Sequence, residues 1–168
     1  MSAPDRNPYL EDPLEDRAVV FQPGEGQVLR AGSTSITLKV TSAISNDQLG
    51  VYEITLPPET VGARLHYHRF MDETFIVKEG ILHVQHGTTE VAAEAGSVIY
   101  VPRFTPHGFA NHSKKPATVY LIFNPAQKRE GFFLGLERIL NANPVNPEEF
   151  LALYHRYDSY PAELAAAK

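Results

Sequence analysis

Two histidines one residue apart, followed by a glutamate five positions after the second, are the residues of this chain best suited to do chemistry. They are His66, His68 and Glu73 in "GARLHYHRFMDETFIVKEG". Imidazole and carboxylate hold first-row divalent metals where thiolate is absent, and the chain has no cysteine. In a strand, residues two apart share a face, so His66 and His68 point the same way with Cβ atoms about 7 Å apart. Imidazoles at that separation can converge on one ion at about 2.1 Å each. The intervening "RFMD" is long enough to turn the chain, and Glu73 opens the next apolar run, "ETFIV", from which its carboxylate can reach the same ion. A fourth candidate is His107 in "GSVIYVPRFTPHGFAN", where His107, Phe109 and Asn111 share strand parity. Spacing alone leaves open whether His107 meets the other three.

The elements that must position these side chains are mainly β. "SITLKV", "GVYEITL", "ETFIVKEGILHVQHG", "SVIYV" and "ATVYLIF" are short runs of β-branched and aromatic residues punctuated by Gly, Pro, Asn or Asp. Their regular spacing predicts a sandwich or barrel and not alternating βα units. Three zones follow: a Pro- and acid-rich arm over 1–17, a β-barrel over 18–125 and a helical segment over 126–168. In "REGFFLGLERIL" the residues Phe132, Phe133, Leu136, Ile139 and Leu140 fall on one helical face. "NPEEFLALYHRY" opens with Asn146 as N-cap, Pro147 at the first helical position and Glu149 in a capping-box-like arrangement. Phe150, Leu153, Tyr154 and Tyr157 form its stripe. Both stripes are expected to pack against the outside of the β-domain.

Composition excludes several classes. A net charge of −5 with pI near 5.8 argues against a nucleic-acid surface. The missing cysteines rule out disulfides and thiolate chemistry. The N-terminus lacks the pattern of a secretory signal, and no apolar run approaches the roughly 18 residues that span a bilayer. A cytoplasmic location is the expectation, with a small molecule as ligand and neither nucleic acid nor membrane as partner. The Pro-rich arm and outward apolar residues such as Leu65 suggest a homodimer in which the arm or an edge strand crosses over. His83, His86, His112 and His155 are expected to be ordinary surface or core residues.

The two histidine stretches resemble the paired motifs of the cupin superfamily. Gly62, His66, His68, Glu73 and Gly80 match the first motif at every position. Gly96, Pro102, His107 and Asn111 match the second, whose usual turn glycine is replaced here by Phe104. Fifteen residues separate the motifs, as in compact microbial members, and the likeness covers about residues 34–124. It implies a jelly-roll β-barrel with C-terminal α-helices on the outside, holding one divalent metal through His66, His68, Glu73 and His107. Iron, nickel, manganese, cobalt, copper and zinc are all known in related proteins, and the ligand types do not choose among them.

Around the metal, Arg64, Phe75, Phe104 and Phe109 are the expected pocket residues. Arg64 shares parity with the histidines and would meet an anionic group; Phe75 and Phe109 would line an apolar wall, and Phe70, Met71 and Phe104 its mouth. A largely apolar cavity suits a small aromatic or enol-bearing molecule. Among single-domain cupins the motif pair with a C-terminal helical segment is similar to quercetin 2,3-dioxygenase-like proteins, which implies an oxygenase with Glu73 as the catalytic proton acceptor. An isomerase or lyase acting on a sugar or keto acid is the alternative, and would need extra polar pocket groups, for which the sequence offers Arg64 and, further, Tyr100 or Arg103. A non-catalytic metal- or ligand-binding module is the third.

Overall fold

A computed structural model of the chain describes residues 17–163, and the arm expected over 1–17 therefore lies, apart from Arg17, outside the described residues. Strand alternation builds the molecule. In β3 (Gly50–Leu56) the residues Tyr52, Ile54 and Leu56 are buried while those between are partly exposed. β5 (Asp72–Glu79), β6 (Ile81–His86) and β10 (Ala117–Asn124) follow the same rule, sending Phe75 and Val77, Leu82 and Val84, and Val119, Leu121 and Phe123 inward. Glu73 obeys this period, so the alternation that buries Phe75 also drives a carboxylate into the core.

Two antiparallel sheets result. One has the order β1-β2-β3-β10-β5-β8 and includes β1 (Gln27–Ala31), β2 (Thr34–Val40) and β8 (Val98–Val101). The other has the order β11-β4-β9-β6-β7, with β4 (Thr60–Tyr67), β7 (Thr89–Glu94), β9 (His107–Asn111) and β11 (Tyr160–Pro161). The inner faces meet in a single core, the arrangement of the expected jelly roll. A short helix, α1 (Ser42–Ser45), joins β2 to β3.

Two motif residues act through packing. A Cβ on Gly62 would collide with the ring of Phe109, so this glycine permits a close approach within β4 and is not a turn residue. Gly80, at φ 76° between β5 and β6, has no space for a side chain beside the Pro116 carbonyl. Asn111 holds the end of β9 to neighbouring loops, its Nδ2 donating to the carbonyls of Leu56, Pro57 and Lys115 at 3.2, 3.0 and 2.8 Å.

The helical segment forms α2 (Arg129–Leu140) and α3 (Pro147–Arg156). Asn146 caps α3 as expected, accepting from the Glu148 and Glu149 amides at 2.9 and 3.4 Å. The Glu149 carboxylate goes instead to Arg138, 2.9 Å away. Phe132, Phe133 and Ile139 of α2 are buried, and Phe150, Leu153, Tyr154 and Tyr157 are half-buried. Beyond α3 the chain returns as β11 to pair with β4, Tyr160 opposite Tyr67 and Pro161 opposite His66. The sequence carried no sign of this return strand.

Candidate metal centre

His66 lies near the end of β4, His68 just beyond it, Glu73 in β5 and His107 at the start of β9. His66 and His107 face each other across the β4–β9 ladder, so one sheet supplies the histidines and the other supplies Glu73. One potential ligand atom from each of the four residues falls within 4.8 Å of all the others, and each residue is at most 2% exposed. The structure thus brings His107 to the other three, the step that spacing left open.

The donors are also oriented. His66 Nδ1 lies 2.8 Å from the Arg64 carbonyl, His107 Nδ1 2.8 Å from that of Thr105, and His68 Nδ1 2.6 Å from that of Asp158. A carbonyl only accepts, so each ring carries a proton on Nδ1 and turns Nε2 toward the centre, where it can serve as the metal ligand once it holds no proton. This is how protein ligands to metals are usually set. The Nε2 atoms of His68 and His107 stand 3.2 and 2.7 Å from Glu73 Oε2. Ligand atoms about 2.1 Å from a common ion are separated by about 3 Å, so the donor set fits a divalent metal.

Electrostatics agree with that fit. Burial, then the neighbouring His107 and His68, push the His66 pKa down to about 3, so this ring is neutral at physiological pH. Burial raises the pKa of Glu73, but hydrogen bonds from His107 and His68 outweigh it and hold the carboxyl well below its usual range. His107 is disfavoured as a cation by burial and favoured by Glu73, and Glu73 prevails.

No local pattern singles out Asp158, yet it supports the centre. It is buried, at φ 58°, and while its carbonyl accepts from His68 its carboxylate accepts from the Arg69 and Phe70 amides at 2.9 and 2.8 Å. The segment after α3 therefore fixes the loop that carries His68. Asp158→Ala should weaken metal binding about 10-fold, the lower end for lost outer-shell support. Titration with a competing chelator measures this, and unchanged affinity would remove the residue from the site.

A cavity of about 530 Å³ adjoins the centre. His66 and Glu73 reach it from the barrel, Ile54, Leu121 and Phe109 line it from the sheets, and Phe132, Leu136 and Tyr154 close it from α2 and α3. The helical stripes, read from the sequence as packing against the outside alone, thus also wall the cavity; the Tyr154 ring is 6.1 Å from that of His66. Of the four expected pocket residues, Phe109 lines the cavity and Arg64 lies exposed at its border. Phe75 is fully buried behind, against Phe109 and His107 at ring separations of 5.2 and 6.3 Å. Phe104 is 64% exposed and away from the cavity; at φ 63° it takes the left-handed conformation that suits glycine, and its amide donates to the His68 carbonyl at 2.7 Å. Met71 is core and Phe70 is exposed, so neither they nor Phe104 form the cavity mouth. Arg64 lines the cavity while remaining exposed, at the place where the β4–β9 ladder shifts register between Ala63 and His66. Among the other histidines, His83 and His112 lie against each other with ring centroids 4.7 Å apart and tilted by 52°, outside the four-residue cluster, and His86 and His155 are exposed.

With that geometry in place, residues 52–123 match the family model of the cupin domain. That stretch is less than half of the chain; it contains His66, His68, Glu73 and His107, whose buried cluster is consistent with a divalent metal site. Among solved structures, the chain is similar to KdgF from a Halomonas species, 16% identical over 64% of this chain and 94% of that one, with a TM-score of 0.57. A predicted oxalate decarboxylase from Thermotoga maritima is 15% identical over 64% and 99% of the two chains, also at 0.57. A sugar phosphate isomerase of the cupin superfamily from Silicibacter pomeroyi DSS-3 is 26% identical over 54% of this chain and 59% of that one, at 0.49. The matched region thus spans less than two thirds of that isomerase. No curated protein matches the chain. Among the described residues, no helix is long and apolar enough to cross a membrane.

Proposed function

We propose that the protein is a metal-dependent, quercetinase-like dioxygenase acting on a small aromatic or enol-bearing molecule. The observation that carries this reading is the largely apolar cavity ending on His66 and Glu73. His66, His68, Glu73 and His107 would hold one divalent ion, Fe, Ni, Mn, Co, Cu or Zn. Bound there, the metal would supply Lewis acidity toward a substrate oxygen and, for a redox-active ion, access to O2 chemistry.

The remaining tasks fall to the chain itself. Glu73 is held ionised between two imidazoles, which suits it to accept the proton of a substrate hydroxyl. Phe109, Phe132 and Leu121 offer flat apolar contact to a ring, and α2 and α3 limit the access of water. A sugar would need many hydrogen-bonding side chains. Of the polar groups an isomerase was expected to use, Arg64 lines the cavity, whereas Tyr100 and Arg103 are exposed and engaged with Asp72 at 3.1 and 3.0 Å, away from it. The apolar walls therefore favour the oxygenase over an isomerase acting on a sugar.

The test is O2 consumption by protein loaded in turn with each metal and offered flavonols and other enols. Turnover with both oxygen atoms recovered in product is the expected result; binding without O2 uptake for every metal would leave a ligand-binding cupin. A homodimer belongs to the same proposal. The edge strand β8 exposes Val98 and Tyr100 at 64% and 61%, a surface suited to pairing. Light scattering at micromolar concentration should give twice the chain mass, and a monomer mass would reject it.

A further inference from the structure

Arg129, at the first position of α2, is a buried cation with no anionic partner within ion-pair distance among the described residues. It is 4% exposed and lines the same cavity as His66, Glu73 and Tyr154. Its guanidinium lies 3.9 Å above the Phe132 ring and 4.8 Å from that of Phe123, which confines it to a fixed plane. Nη1 donates to two neutral acceptors, the Tyr157 carbonyl at 2.7 Å and Ser159 Oγ at 3.0 Å, and Nε has no acceptor at all. Among the described residues no carboxylate lies within ion-pair distance of it.

That is an expensive arrangement for a structural residue. A buried cation is ordinarily paired, and a buried N–H ordinarily finds an acceptor. Burial lowers the Arg129 pKa, yet a guanidinium stays charged at neutral pH. A divalent ion at the adjacent centre would bring the positive charges there, with Arg129, to three against the two carboxylates of Glu73 and Asp158, leaving the apolar cavity with an excess of positive charge.

We infer that the cavity takes an organic anion, a small aromatic or enol-bearing molecule with a carboxylate, and that Arg129 is the residue that selects for this carboxylate. The inference rests on the reading of this cavity as the ligand site and narrows its substrate class from enols in general to enol-bearing acids. Arg64, the cation expected from the sequence to meet an anion, is exposed, where water screens its charge. Arg129 is desolvated, where a charged hydrogen bond discriminates most strongly.

The experiment compares phenylpyruvate with its methyl ester, binding each to the metal-loaded protein by calorimetry. The acid should bind about 10- to 100-fold more tightly, the range for a hydrogen bond to a charged group. In Arg129→Gln that preference should disappear while metal content is retained. Because Arg129 also ties down residues 157–159, Ser159→Ala serves as the control: it removes the side-chain half of that tie, keeps the charge, and should keep the preference. Equal affinity of the wild type for acid and ester would overturn the inference, whether or not the variants fold. So would a preference that survives in Arg129→Gln, or one lost equally in Ser159→Ala. Oxygen uptake is not read in this experiment. Absent O2 consumption with the acid preference intact would remove the dioxygenase and leave the anion site.

Discussion

Protein purified without chelator should carry about one divalent ion per chain, and His66→Ala or His107→Ala should abolish it. Each histidine is at most 2% exposed and has its Nδ1 committed to a backbone carbonyl. Truncation therefore removes a preset donor whose place water cannot readily fill. Binding to the folded state alone also stabilises it: free ion at about 1,000 times the dissociation constant contributes about 4 kcal/mol. For a chain of this size, chelation should then lower the thermal midpoint by about 10 °C. Acid should release the ion as well, because binding needs neutral imidazoles and an ionised Glu73. Elemental analysis and thermal melts with and without chelator provide the check. A metal-free wild type that cannot be reloaded would overturn the assignment of the centre.

Glu73→Gln should separate holding the metal from using it. The amide preserves the size of the side chain and one oxygen donor, and His66, His68 and His107 keep their own orienting hydrogen bonds. Much of the metal should remain. The basic function is lost, so O2 consumption with an enol substrate should fall by about 10² or more, the scale for a missing general base. Metal content and rate must be measured on the same sample. An unchanged rate would remove Glu73 from the chemistry while leaving it as a ligand, and a metal-free variant would make it chiefly structural.

Much of the centre was legible in the chain because its parts obey local rules. Period-2 alternation placed Glu73 on the face of Phe75 and Val77, and β3, β5, β6 and β10 follow the runs read from the sequence. The α3 start was equally readable, since Asn146 and Pro147 act within one turn. Parity reasoning is incomplete where the ladder shifts. Arg64 lines the cavity yet is exposed, beside an irregularity of β4 just before His66, and a bulge depends on the partner strand as much as on its own residues. Phe104 adopts the backbone of the glycine it replaces but points away from the cavity, a direction that parity within a loop does not specify.

The amino-acid sequence by itself determined the β-fold, the identity of the four potential ligands and the helical character of the C-terminal segment. Side-chain periods of 2 and 3.6 and the chemistry of imidazole and carboxylate are properties of short stretches of chain. Only the tertiary structure decided that Asp158 orients His68 from 90 positions away, that α2 and α3 wall the cavity, and that Arg129 lies buried among aromatic rings beside it. Those contacts come from folding the end of the chain back over the barrel, where β11 pairs with β4 and the apolar stripes of α2 and α3 find cover against the core. Burial drives that return without regard to distance along the chain, which is why no local pattern announced it.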